Sequence, residues 1–280
     1  MEPVLQAASR SARAQVRETL ERLLAESHPG AEVLAEVADS LYAVVDLLDD
    51  QVSLRRVLTD PARDAPARVG LVTELLDGRV HPFALQITQR AAATPWSHPR
   101  DLTDALEDAA VEAWSAAAEV QGHLDDVEDE LFRFSRLVIA RSDLRAALTD
   151  RALPTERKDG LVTQLLRGRV TDQTLALVRR AVTHPRVPSI ESTLGHYATV
   201  VARRRARLLA HVRTAVPLTD AQLQRLRDRL ATLYQRDVYL NVELDPRVIG
   251  GLVVQVGDEV FDGTIAARLD QARARLSGSS

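Results

Sequence analysis

Apolar residues recur along most of this chain at spacings of three and four. Val33, Val37, Leu41, Val44, Leu47 and Leu48 form one such stripe, and Leu131, Phe134 and Val138 form another. That period places them on one face of a helix. A third stripe, Leu223, Leu226, Leu230 and Leu233, follows Pro217 and the capping box Thr219-Asp-Ala-Gln222. The period changes to two only near the C-terminal end. Val212, Thr214 and Val216 alternate with Arg213 and Ala215, and Val238, Leu240, Val242 and Leu244 alternate with Tyr239, Asn241 and Glu243. Alternation with a polar outer face predicts half-buried strands. Asp245-Pro246 ends the second one, because proline offers no N–H to a ladder. Leu252 to Val256 is short enough for a third strand, and Ile265, Leu269 and Leu276 return towards helical spacing. The expected order over 210–276 is strand, helix, strand, strand, helix. The fold class is therefore mostly α, with a small C-terminal α/β module.

The helical part repeats itself. Residues 54–95 align with 144–185 at an offset of 90 without a gap, and 19 of the 42 positions are identical. Gly70-Leu-Val-Thr73 recurs as Gly160-Leu-Val-Thr163, and Gly78-Arg-Val80 as Gly168-Arg-Val170. Identity at that level marks a duplication. Gly78 and Gly168 each close a Leu-Leu pair, where a left-handed residue would end a helix. Pro61, Pro66 and Pro154 punctuate turns. Pro95 and Pro99, then Pro185 and Pro188, precede two long helices expected at about 101–121 and 189–210. The organisation read from this is two tandem helical bundles, 1–122 and 123–209, ahead of the α/β module, 210–280.

The module carries the most specific pattern. Gly250 and Gly251 precede the apolar run, Gly257-Asp258 follows it, and Asp262-Gly263-Thr264-Ile265 leads to Leu269. The glycines predict backbone that a Cβ would strain, with Gly257 at positive φ in a hairpin corner. Either Asp262 or Thr264 can cap the following helix. This set of residues resembles the C-terminal signature of the δ subunit of F-type ATP synthases, the bacterial counterpart of the oligomycin-sensitivity-conferring protein. The resemblance covers 123–276 and reaches 1–122 only through the repeat. The usual family member has one helical bundle, so a second bundle is a long form. The first copy is the extra one by position, or an insertion split the original.

Composition bounds the chemistry. A net charge of −4 argues against nucleic-acid binding by the whole chain, and the absence of cysteine removes disulfides and thiol chemistry. Lys158 is the only lysine and follows Arg157, so there is no phosphate-binding Gly-Lys pair. The seven histidines (28, 81, 98, 123, 184, 196 and 211) include no pair at helical metal-ligand spacing. Asp49-Asp50, Asp125-Asp126 and Glu128-Asp129-Glu130 read as solvated helix faces rather than a pair of hydrolytic carboxylates. Arg203-Arg204-Arg205 and Arg207 read as a solvated helix end, or as a basic patch for an acidic partner. Trp114 reads as core, and Trp96, between prolines, as an exposed contact. No catalytic, cofactor or metal site is expected. No span of apolar residues is long enough to cross a membrane, so any membrane association should run through a partner.

The resemblance implies a non-catalytic stator subunit at the cytoplasmic face of the bacterial cell membrane. It implies that a helical bundle grips N-terminal helices of the α subunits and that the module holds the C-terminal end of the b-subunit stalk. Such a clamp would stop the α/β head from turning with the rotor. It is expected to bind helices in grooves with affinity near nanomolar, about −12 kcal/mol. The alternative is a helical-repeat adaptor unrelated to ATP synthase, since stacked helical units make long binding surfaces.

Overall fold

The computed structural model describes residues 7–150, 152–186, 189–206, 208–234, 238–248, 250–256 and 259–263. The chain divides into two compact units, Met1–Arg205 and Ala206–Ser280.

The first unit is helical. It contains α1 (Ala7–Ser27), α2 (Ala31–Asp50), α3 (Val52–Thr59), α4 (Ala65–Leu76), α5 (Pro82–Ala93) and α6 (Pro99–Val120). It continues with α7 (Leu124–Ala140), α8 (Ser142–Thr149), α9 (Thr155–Leu166), α10 (Asp172–Thr183) and α11 (Ile190–Ala206). Adding 90 to the bounds of α3, α4 and α5 gives those of α8, α9 and α10 without error. The turns repeat too. Gly78 and Gly168 have φ of 68° and 71°, the left-handed stop expected after each Leu-Leu pair. The start of the fifth helix is tied to the second in both copies. His81 N–H donates to Ser40 Oγ at 3.1 Å, and Thr171 N–H donates to Glu130 at 3.0 Å.

The same offset explains α6. Shifting α1 by 90 gives 97–117, which overlaps α6 at 99–120, and shifting α6 gives 189–210, which contains α11. One helix is thus the last of the first copy and the first of the second. Its burial fits that double role. Fifteen of its 22 residues are buried, against eight of 20 in α2 and four of 17 in α7. A helix covered on nearly every side cannot be amphipathic in the usual way. Ala105, Ala109, Ala110, Ala113, Ala116, Ala117 and Ala118 line it, so neighbouring helices approach closely. One hydrophobic cluster accordingly runs from Ala12 in α1 to Val201 in α11.

The second unit is a four-stranded sheet with one helix. Its elements are β1 (Leu208–Thr214), α12 (Asp220–Tyr234), β2 (Val238–Leu244), β3 (Leu252–Val256) and β4 (Glu259–Asp262). The strand order is β2-β1-β3-β4, with β1 and β2 parallel and the other pairs antiparallel. Leu223, Leu226 and Leu230 of α12 pack on Ala210, Val212, Leu240, Val254 and Val256. Leu233, expected in the same stripe, is exposed. The capping box forms as expected. Gln222 N–H donates to Thr219 Oγ1 at 3.3 Å, and Thr219 N–H to Gln222 Oε1 at 2.8 Å.

Two boundaries differ from the sequence reading. The helix expected to reach 210 ends at Ala206, because 208–211 are drawn into the parallel ladder with 238–241. Secondly, Glu259 to Asp262 form a fourth strand where the sequence offered only a short apolar run before a helix. Four residues are too few to declare a period, and pairing with β3 supplies what the pattern lacks.

Candidate partner-binding surfaces

Strands β2 and β3 flank β1 on opposite sides, and Thr214 pairs with both Leu244 and Leu252. The connection 245–251 must therefore pass around the end of β1. Asp245 N–H anchors it by donating to the Thr214 carbonyl at 2.9 Å. The Asp245 carboxylate accepts from the Arg247 guanidinium at 3.0 and 3.1 Å, and this bond holds its pKa below the usual carboxylate range. Gly250 and Gly251 close the turn with φ of 62° and 86°. Two successive left-handed residues are unfavourable for any side chain bearing a Cβ. Past β4, Gly263 N–H donates to the Leu252 carbonyl at 2.9 Å, and a Cβ on Gly263 would stand 3.2 Å from that oxygen.

The structure thus gives Gly250, Gly251 and Gly263 backbone roles in shaping β3 and its neighbours. Asp262 pairs with Val253 at the end of β4. The helix it was expected to cap lies outside the described residues, as do Gly257, Asp258, Thr264, Ile265 and Leu269. The sheet face away from α12 carries His211, Arg213, Glu243 and Gln255 around a shallow polar cleft. Val260 and Phe261 on the edge strand are exposed.

In the helical unit, charged side chains sit between helices. Arg186, whose side chain is 9% exposed, reaches Asp49 of α2 at 2.9 Å and Asp104 and Glu107 of α6 at 2.8 Å each. Burial opposes its charge, but the three carboxylates outweigh that and hold its pKa above the ordinary value. Arg180 of α10 grips Asp46 of α2 at 2.7 and 2.8 Å and stacks over the Tyr42 ring at 4.5 Å. Asp108 of α6 joins Arg13 of α1 to His196 of α11, each at 2.6 Å. The hydrogen bond to Asp108 raises the His196 pKa in spite of burial. Tyr197 donates to Glu107 at 2.8 Å.

Trp96 is buried at 8% exposure, and its indole N–H donates to the Ala91 carbonyl at 2.7 Å. Its indole body packs inward while its polar edge is satisfied. Trp114 is core, as expected. The arginine run is not simply a solvated end. Arg204 is buried and binds Glu21 of α1 at 2.9 Å and Glu119 of α6 at 2.6 Å, and Arg205 binds Glu128 of α7 at 3.0 Å. Its acidic partners are within the chain. Of the paired acids, Asp50, Asp125, Asp126 and Asp129 lie exposed on helix faces, as expected, whereas Asp49 and Glu130 are half-buried and tie elements together. Asp49 binds Arg55 and Arg186, Asp129 binds Arg133, and Glu130 bonds the start of α10. Apart from Asp129–Arg133 and Asp49–Arg55, which are close in sequence, nothing in a local window signals these pairs, because the partners lie up to 183 positions apart.

A model of the ATP synthase delta (OSCP) subunit family matches residues 111–276. Curated relatives named ATP synthase subunit delta match almost end to end. The one from Streptomyces avermitilis is 48% identical, over 96% of this chain and 98% of its own. Those from Acidothermus cellulolyticus and Thermobifida fusca are 45% and 44% identical, each over 98% of this chain and 100% of theirs. These alignments run through the first copy as well as the second, so the long form is shared with these relatives. A chain in the structure of a Toxoplasma gondii mitochondrial ATP synthase hexamer is 22% identical with a TM-score of 0.29, over 59% of this chain and 94% of that one.

Proposed function

Because this chain belongs to the ATP synthase delta (OSCP) subunit family and is a non-catalytic peripheral-stalk subunit, we propose that it ties the catalytic head to the b-subunit stalk. The helical unit grips N-terminal helices of the α subunits, and the α/β module holds the C-terminal end of b. The protein sits at the cytoplasmic face of the bacterial cell membrane and is attached to it through the complex. Among the described residues no helix is long and apolar enough to cross a membrane. The segments 1–122, 123–209 and 210–280 are the functional divisions, one gripping surface for each helical copy and one for the stalk, and α6, at the end of the first, also packs against the second.

The observation that supports this reading is the division into two units that each own a hydrophobic core. A linker between two partners needs two ends that keep their shape separately. The ties that cross the helical unit suit a part under torque. Arg186, Arg180 and Arg204 each join elements distant in sequence through short charge-assisted bonds.

Calorimetry on the full-length chain tests the assignment of ends. An α N-terminal peptide and a C-terminal b fragment should bind independently. Gly250→Val should weaken b by tenfold or more, about 1.4 kcal/mol, and leave α unchanged. Loss of α binding with b retained would reverse the assignment.

A further inference from the structure

Equivalent faces of the two helical copies meet different fates. On α2, Tyr42, Asp46 and Asp49 are covered by the end of α10 and the segment after it, through Arg180 and Arg186. Adding 90 carries those three positions to Phe132, Arg136 and Ile139 of α7. Tyr42 is 7% exposed, whereas Phe132 is 61% and Ile139 52% exposed. The copies therefore stack head to tail, and because two copies do not close into a ring one such face is left open at the end.

An end that simply stops the stack would present a polar outer face. This one does not. Phe132, Arg136 and Ile139 lie at i, i+4 and i+7, and exposed Leu137 lies beside them. The charge has also changed, inverted from Asp46 to Arg136 and removed from Asp49 to Ile139. Arg133 is already paired with Asp129, while Arg136 has no ion-pair partner among the described residues. A second copy of this chain cannot continue the stack. Its Arg90, the equivalent of Arg180, would meet Arg136, and its Trp96, the equivalent of Arg186, is buried within its own copy.

We propose that the outward face of α7, Phe132, Arg136 and Ile139 with Leu137 beside them, docks an amphipathic helix of another subunit whose apolar stripe is flanked by carboxylates. The occupant is acidic because the open cation is Arg136. It lies along the C-terminal half of α7, because Asp125 and Asp126 in the first turn repel it from the other half. The stripe reads a partner helix through anchors at helical spacing, and Arg136 sets its register more than its affinity.

The test is photocrosslinking in the assembled complex, with the full-length chain carrying Phe132→benzoylphenylalanine. The expected result is one dominant adduct, mapped by mass spectrometry to a helix of another subunit with Asp or Glu beside its apolar stripe. Adding Arg136→Glu should lower its yield about tenfold, as reversing a charge at a matched contact does. A double variant, Phe132→Asp with Ile139→Asp, should keep the melting temperature while losing retention of that partner. An adduct to this chain itself, to a second copy, or to a helix lacking carboxylates overturns the proposal. So does a normally assembled complex with no adduct, a result that leaves the stator role intact. An unchanged yield with Arg136→Glu overturns the acidic assignment.

Discussion

At the scale of single residues, buried charges and left-handed glycines make the sharpest demands. Arg204 is 4% exposed in its side chain and faces Glu21 at 7%. Removing one partner of a buried pair strands the other charge, which typically costs about 3–5 kcal/mol. Arg204→Met should therefore lower the urea midpoint strongly, and Arg204→Met with Glu21→Leu should recover much of the loss. A neutral single variant would show that the pair is solvated. Gly250→Val forces a branched side chain to φ of 62°. It should cost the module about 1–2 kcal/mol, seen as faster amide exchange in β1–β3 with α1–α10 unaffected. His196 gives a pH signature. Its folded pKa is raised above the unfolded value of about 6.5. Its contribution is therefore complete below that unfolded value and disappears as pH rises through the folded one. The melting-temperature deficit of His196→Gln should grow from pH 8 to pH 6. His184 has the opposite sign. Burial, then Arg180, lowers its pKa, so its contribution holds above the unfolded value and is lost as pH falls through the folded one. A deficit for His196→Gln that is constant with pH would contradict the Asp108 bond.

At the scale of elements, α6 is the part on which both copies depend. Ala110 is fully buried, and Ala110→Leu should overpack the helix at a cost of about 1–3 kcal/mol. Amide protection should then fall in α2 and α10 together. Protection lost in one copy alone would mean that α6 is not shared energetically. Much of this level was legible in the chain itself. The 90-residue offset set the matching bounds of α3 and α8, α4 and α9, and α5 and α10, and Gly78 and Gly168 marked the stops. The capping box placed the start of α12. The sharing of α6 was hidden because a helix packed on nearly all sides drifts to alanine and loses likeness to its repeat partner. β4 was hidden by its shortness. The burial of Trp96 and Arg204 was hidden because each is decided by contacts, not by its neighbours in sequence. In the module, Gly250 and Gly251 were readable as turn glycines because only backbone at positive φ asks for that pair. What the glycine signature binds was not readable, since glycines shape a surface and do not display one.

At the scale of the whole molecule, near-neutral charge, two cores and a signature without catalytic groups pointed to a structural part, and the family match agrees. End-to-end similarity to delta subunits sets aside the unrelated adaptor. On the proposed reading, the duplicated helical copy supplies a second gripping surface, and the structure leaves Phe132 and Ile139 of α7 exposed. The measurement that tests the central claim most directly is a tagged pull-down of the full chain from native membranes in mild detergent, with the bound proteins identified by mass. Recovery of the α, β and b subunits together is the expected result. A complex containing none of them would contradict the stator assignment.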